Sequence, residues 1–147
     1  MSTAAVLHNE EQIVVFRLDS ESYGIDIFRV NEIIRMRDIT PVPQTEAHIR
    51  GLVNLRGKTI PVIDVRVRFG LAISDASEKT RIIVVESTEG LVGIIVDEVS
   101  EVITLEEEEI EGTPALVASV GTDFVRGVAK RSGRLITMLD LDRALAR

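Results

Sequence analysis

Residues 13–34 read IVVFRLDSESYGIDIFRVNEII, and residues 82–103 read IIVVESTEGLVGIIVDEVSEVI. The two stretches align without a gap and keep the same residue at several positions, among them Gly24 with Gly93 and Glu32 with Glu101. A second match joins IRGLVNLRGKTIPVIDV (49–65) to VRGVAKRSGRLITMLDL (125–141), and the offset grows from 69 to 76 residues. The chain is therefore an internal repeat whose second copy has a longer connection.

The hydrophobic pattern of each repeat predicts short β-strands. In the first repeat the predicted strands cover residues 13–18, 23–28, 30–36, 51–55 and 59–63, and in the second they cover 81–85, 91–96, 99–105, 127–130 and 135–139. Gly24 and Gly93 lie inside strands, where glycine indicates a bulge or a close backbone approach. About five strands per copy predict an all-β chain of two small barrels.

The size of the repeat predicts one domain over residues 1–147, with lobes at approximately residues 12–71 and 81–147. A lobe of roughly 70 residues is marginally stable alone. The chain has no cysteine, so no disulfide supports either copy. We therefore expect the two copies to support each other by packing together.

Asp64 and Asp140 end the last predicted strand of each copy. The segments that follow, VRVRFGL and LDRALAR, have apolar residues at helical spacing. Two carboxylates at related places are compatible with an acid/base pair, but a helix N-cap explains both, because aspartate accepts hydrogen bonds from backbone N–H groups there. We predict a short helix, capped by one of these aspartates, after strand five of each repeat. The helix of the second repeat lies at the C-terminus.

Charge and composition limit the partners. The formal net charge is −7, and four Phe and one Tyr supply few rings for base stacking. A negative surface repels phosphate backbones, so the sequence argues against nucleic-acid binding. The N-terminal stretch shows no secretory signal, and no apolar run reaches the length of a membrane span. We expect a cytoplasmic protein without membrane insertion.

No catalytic, cofactor-binding or metal-binding constellation is recognisable in the sequence. His8 and His48 stand apart, and neither a Walker-type nor a dinucleotide-binding glycine motif occurs. The acidic run at residues 106–109 lacks the Asp/Asn and Gly pattern of a calcium loop, so we interpret it as a solvated loop. We predict a protein that is not an enzyme and needs no cofactor or metal.

The two copies differ at one predicted hairpin tip. The first has Asn54-Leu55-Arg56-Gly57, whereas the second has Lys130-Arg131-Ser132-Gly133. Arg56 therefore has no arginine counterpart before the turn glycine of the second copy. Its planar guanidinium suits a carboxylate on a partner, although an exposed turn arginine is often merely solvated. The tip is a candidate binding site.

Three segments resemble the CheW-type chemotaxis coupling proteins: IRGLVNLRGKTIPVIDVRVRFGL, VGIIVDEVSEV and FVRGVAKRSGRLITMLDLDRAL. The resemblance runs from about residue 12 to the C-terminus. It implies two intertwined five-stranded barrels of SH3-like type. It also implies a non-enzymatic adaptor that joins the CheA histidine kinase to the cytoplasmic tips of chemoreceptors.

The resemblance further implies a cytoplasmic location with recruitment to membrane receptor arrays, and the kinase regulatory domain as the direct kinase contact. That domain shares the fold, so a detached kinase regulatory domain is one alternative. A small-ligand or nucleic-acid-binding barrel is the other.

The resemblance also places partner-binding residues on this sequence, which are Val30, Glu32, Gly51, Arg56, Gly93, Val99 and Val102. Each residue also has a structural explanation. The valines alternate along predicted strands as core residues do. The glycines suit positions with special backbone geometry. Glu32 could pair with Arg56 and so position the hairpin.

Overall fold

The computed structural model describes residues 10–112 and 124–145. It is built almost entirely of short β-strands, as predicted. The strands are β1 (Glu10–Leu18), β2 (Glu21–Asp26), β3 (Val30–Arg35), β4 (Ile49–Leu55), β5 (Lys58–Asp64), β6 (Arg81–Ser87), β7 (Gly90–Val96), β8 (Glu98–Glu106), β9 (Ile110–Glu111), β10 (Val125–Arg131) and β11 (Arg134–Leu139). His8, which the sequence analysis considered, lies outside the described residues.

The predicted helices are present as single turns, α1 (Val65–Arg68) and α2 (Leu141–Ala144). The Asp64 carboxylate accepts a hydrogen bond from the Arg66 backbone N–H at 3.0 Å, and Asp140 accepts one from the Arg143 N–H at 3.2 Å. The N-cap interpretation of both aspartates is therefore confirmed. None of the described helices is long and apolar enough to cross a membrane.

The strands form two sheets, and each sheet takes strands from both repeats. One has the order β3-β6-β7-β5-β4, and the other has the order β8-β1-β2-β11-β10-β9. The opening hairpin of each repeat therefore joins the sheet that holds the closing hairpin of the other repeat. These joins are the parallel pairs β5–β7 and β2–β11. The lobe boundaries at 12–71 and 81–147 stay a prediction about the sequence repeat.

Each sheet closes on itself into a barrel. In the first sheet, which we call barrel 1, Thr40 follows β3 and bridges to Leu52 of β4. In the second sheet, barrel 2, β9 follows β8 and pairs with β10 through Glu111 and Val128. The two closures are at equivalent places of the repeat, so the two copies fold alike.

Three apolar clusters explain the uninterrupted apolar runs of β1 and β6. Ile82 and Val84 of β6 point into barrel 1, whereas Ile83 points into a central cluster between the barrels. Likewise β1 sends Ile13 and Val15 into barrel 2, and it sends Val14, Phe16 and Leu18 into the central cluster. Strands buried on both faces need apolar residues at every position rather than at alternate ones.

Registers confirm that the repeat-related residues occupy equivalent places. Gly24 of β2 is paired with Met138 of β11, and Gly93 of β7 is paired with Val62 of β5. Gly24 and Gly93 are related by the offset of 69 residues, and Val62 and Met138 are related by the offset of 76 residues. A Cβ at Gly24 would lie 2.6 Å from the Ile13 side chain, so the glycine makes room for a core side chain of barrel 2 rather than for a bulge or another backbone segment.

One predicted strand ends early. We predicted a second strand over residues 23–28, but β2 ends at Asp26, and residues Ile27–Arg29 form a 3₁₀ turn. The Asp26 carboxylate accepts a hydrogen bond from the Phe28 N–H at 2.9 Å and caps this turn. Apolar content at Ile27 and Phe28 suggested a strand because the pattern alone carries no information about the cap.

Gly51 should tolerate no side chain. Its φ is +146°, and a Cβ there would lie 2.1 Å from the Thr40 carbonyl oxygen in the bridge that closes barrel 1. We expect Gly51→Ala to lower the free energy of unfolding by at least about 2 kcal/mol. Gly57→Ala is the control, because its φ is +84° but no atom lies within 4 Å, and it should cost about 1 kcal/mol. Equal losses in urea unfolding would contradict the close approach.

Candidate partner-binding surface

The tip of the β4–β5 hairpin is a rigid two-residue turn. Leu55 pairs with Lys58, so Arg56 and Gly57 form the loop, with φ values of +50° and +84°. Positive φ at both central residues is the geometry that matches the twist of a hairpin. The Asn54 side-chain oxygen accepts a hydrogen bond from the Gly57 N–H at 3.0 Å. Arg56 is thus presented to solvent on a well-defined turn, with its side chain 70% exposed.

Arg56 contacts Glu32 of β3 through an ion pair between a guanidinium N–H and a carboxylate oxygen. The hydrogen bond from Arg56 lowers the pKa of Glu32. The same hydrogen bond raises the pKa of Arg56. The pair joins the tip of one hairpin to a strand across the barrel, and the predicted site residues Glu32 and Arg56 are brought together.

The second barrel contains a related ion pair that the sequence comparison missed. Ser132 and Gly133 form a turn of the same shape, with φ values of +53° and +77°. Although the tip residue is a serine, Glu101 still has an arginine partner, because it pairs with Arg134. Arg134 occupies the position of Lys58 in the repeat, so a cation shifted along the hairpin replaces the missing arginine. Comparing tip residues alone could not reveal this substitution.

Exposure differs among the other predicted site residues. Val30 and Val99 are partly buried against the central cluster. Val102 is 51% exposed, so the core interpretation is wrong for it. Its repeat counterpart on β3, Ile33, is 40% exposed. An exposed apolar residue therefore follows the ion-paired glutamate in each barrel, with its side chain on the opposite face of the strand.

The two predicted glycines lie inside the barrels. Gly51 and Gly93 are buried, and a Cβ at Gly93 would lie 2.8 Å from the Ile82 side chain. Their positions support the structural explanation, in which each one allows a close approach of neighbouring atoms. A part for either glycine in partner binding stays a prediction.

Arg66 connects the two barrels, a role that the sequence did not reveal. It is only 7% exposed, and its Nη1 lies 2.7 Å from the Asp97 carboxylate and 2.8 Å from that of Asp19. The hydrogen bond to Asp19 raises the pKa of Arg66. Asp19 lies in the β1–β2 turn of barrel 2, and Asp97 follows β7 of barrel 1. The pairs therefore help to fix the orientation of the barrels.

Arg29 makes a comparable connection elsewhere. Its Nε and Nη2 donate to the Glu86 carbonyl oxygen at 2.9 and 2.6 Å, and Nη2 also lies 2.7 Å from the Asp142 carboxylate. Glu86 belongs to β6 of barrel 1, whereas Asp142 belongs to α2 beside barrel 2. Single arginines with several acceptors thus link the barrels at two places.

The acidic run is more ordered than a solvated loop. Glu106 ends β8, and Glu107–Glu109 form a 3₁₀ turn. Glu109 pairs with Arg131 at 3.1 Å, and its hydrogen bond with the Glu106 N–H lowers its pKa. Within residues 10–112 and 124–145, no group of His, Asp and Glu side chains could hold a metal ion.

The Glu32 titration should report the hairpin contact. We expect its carboxyl to titrate below the ordinary value of 4.5 and Arg56→Ala to move it back towards that value. Because the folded-state pKa is lowered, the stabilisation by this pair is present above the ordinary pKa and is lost as the pH falls through the folded value. Carboxyl NMR titration measures this, with Arg134→Ala as the control. An unchanged Glu32 pKa in Arg56→Ala would contradict the contact.

Comparison with known proteins identifies the family. The sequence model of the CheW-like domain matches residues 12–147. The chemotaxis protein CheW of Bacillus subtilis (strain 168) is 35% identical over 141 residues, which are 96% of this chain and 90% of that protein. The chemotaxis protein CheW of Klebsiella aerogenes is 34% identical over 136 residues, covering 92% of this chain and 82% of that protein.

A solved structure agrees with the fold. The scaffolding protein TtCheW from Thermoanaerobacter tengcongensis superposes with a TM-score of 0.86 at 42% sequence identity, covering 95% of this chain and 90% of that one. The match confirms the all-β architecture with SH3-like barrels. The chain therefore belongs to the CheW-like family of chemotaxis proteins, which are non-catalytic scaffold proteins.

Proposed function

We propose that this chain couples the cytoplasmic tips of chemoreceptors to the regulatory domain of a CheA-type histidine kinase. The observation that carries the proposal is the exposed Arg56 on a rigid turn, held by Glu32. An arginine fixed in place loses little conformational entropy when it meets a partner's carboxylate. Family membership supports an adaptor role for such a surface.

The repeat supplies two surfaces of similar construction. Barrel 1 presents the pair of Arg56 with Glu32, and barrel 2 presents the pair of Arg134 with Glu101. Each surface carries an ion pair at the solvent, and an exposed apolar residue, Ile33 or Val102, follows the glutamate on the opposite face of the strand. Two such surfaces on one molecule can hold two partners at the same time. Coupling then follows, because receptor and kinase share a common rigid support.

Recruitment would place the protein at membrane receptor arrays through its receptor contact, from a cytoplasmic location. The net charge of −7 favours protein partners with basic surfaces over anionic lipid surfaces. The proposed function therefore requires neither membrane insertion nor a bound cofactor.

Arg56→Glu should separate binding from folding. We expect it to change the melting temperature by less than about 2 °C, because exposed ion pairs contribute little to stability. It should weaken binding of one partner by at least about thirtyfold, since like charges would meet in a desolvated contact. Titrations against a receptor cytoplasmic fragment and a kinase regulatory domain measure this.

Two substitutions in barrel 2 serve as controls. Arg134→Glu reverses the related ion pair at Glu101, and Ser132→Glu adds an acid on a turn of the same shape. Neither should weaken the partner contact that depends on Arg56. Equal loss of affinity from all three substitutions would show a general charge effect and would contradict a specific role for Arg56.

A further inference from the structure

A cleft of about 630 Å³ lies between β5, the β6–β7 turn and α2. Ile63, Val92 and Leu145 contribute apolar walls, and three charged residues, Lys58, Glu89 and Asp142, line the same cleft. A concave site of this volume, with apolar walls and few charges, has the usual size and composition of a ligand pocket. It lies outside the predicted partner-binding residues.

Pro61 explains why the cleft is open. The parallel pairing of β5 with β7 covers only Val62–Asp64 and Gly93–Ile95. The Asp64 N–H donates to the His48 carbonyl, on the β4 side of the strand. Because successive backbone N–H groups point to opposite sides of a strand, the backbone nitrogen of residue 61 faces β7. Proline has no N–H to donate there. The β5–β7 pairing therefore stops at Val62, and the cleft lies beside the unpaired residues that precede it, with Pro61 in its lining.

The equivalent place in the other repeat is closed. The offset of 76 residues places Thr137 where β5 has Pro61, and the pairing of β11 with β2 includes Thr137 with Tyr23. It reaches Ile136 with Ser22, two residues beyond the limit of the β5–β7 pairing. Both ladders contain three residue pairs, but the β11–β2 ladder is shifted by two residues and so runs through the place at which the β5–β7 ladder stops.

Aromatic rings also fill the equivalent place. The Phe69 ring stacks on Phe124 with centroids 4.4 Å apart and tilts against Tyr23 at 5.6 Å. The repeat offsets place Leu145 at the position of Phe69 and Val92 at the position of Tyr23. Both replacements are smaller than the rings. The closed place therefore shows what the open cleft lacks, which is an aromatic side chain.

The charges repeat this difference. Lys58 corresponds to Arg134, which is paired with Glu101. Among the described residues Lys58 has no carboxylate partner, because Glu32 pairs with Arg56 instead. The closed place thus combines a ring with a carboxylate beside its cation. The open cleft has the cation and the apolar walls but no ring, and neither of its acids is paired with Lys58, since Asp142 pairs with Arg29.

We propose that this cleft binds an aromatic side chain of a protein partner whose neighbouring carboxylate pairs with Lys58. The rings of Phe69 and Tyr23, at the equivalent place of the other repeat, indicate the kind of side chain that the cleft would accommodate. The inference rests on the proposed function only in assigning the ring to a signalling partner. The cleft itself can be tested without kinase or receptor, so the two proposals can fail separately.

The probe is the peptide N-acetyl-Phe-Glu-amide, followed by amide chemical shifts of the isotope-labelled protein. Binding should shift the signals of Ile63, Val92 and Leu145. N-acetyl-Ala-Glu-amide should bind roughly tenfold more weakly because the ring is missing. N-acetyl-Phe-Gln-amide should bind about threefold more weakly because the exposed ion pair is lost.

Leu145→Phe should fill the cleft with the residue of the other repeat and weaken peptide binding about tenfold or more. Val92→Tyr tests the same point if Leu145→Phe does not fold. Leu135→Phe is the control, because Leu135 is 61% exposed on β11 outside the cleft, and it should leave binding unchanged. Equal binding of the Phe and Ala peptides, or binding insensitive to both cleft-filling variants, would overturn the proposal.

A second copy of this chain is the competing occupant. Phe28 is 81% exposed on its capped turn and could enter the cleft of another molecule. Sedimentation of the wild-type protein should show a monomer at the concentration used for the peptide titration. A dimer that disappears in Phe28→Ala would assign the cleft to self-association and overturn the assignment to a different protein.

Discussion

The exchange of hairpins between the two repeats is the constraint on which the rest of the structure depends. The parallel pairs β2–β11 and β5–β7 place strands of both copies in each barrel. Neither copy can complete a barrel without the other. The exchange also buries β1 and β6 on both faces, so each of these strands contributes both to the central cluster and to the interior of one barrel.

Departures from the repeat symmetry distinguish the two barrels. Glu32 and Glu101 keep equivalent places, but the cation that meets each one comes from a different hairpin position. Pro61 opens a cleft whose equivalent is closed at Thr137 and filled by Phe69. The two copies thus share a common scaffold, and a few substitutions make its two sides different.

Much of the fold could be predicted from the sequence, because strand positions depend on local hydrophobic alternation. The caps at Asp64 and Asp140 were likewise predictable from residue type and position. Strand partners were not, since pairing between distant segments leaves no periodic signal, and only the family resemblance implied intertwined barrels. The roles of Arg66 and Arg134 depend on three-dimensional proximity. β9 was missed because two residues are too short to show a pattern.

Simultaneous occupancy is the central claim, because an adaptor that binds its partners one at a time cannot couple them. The direct measurement is the mass of the complex formed when this chain, a receptor cytoplasmic fragment and a kinase regulatory domain are mixed, determined by light scattering after size exclusion. The two separate surfaces predict a single species containing all three proteins. Displacement of one partner by the other, with only two-component complexes at saturating concentrations, would contradict the claim.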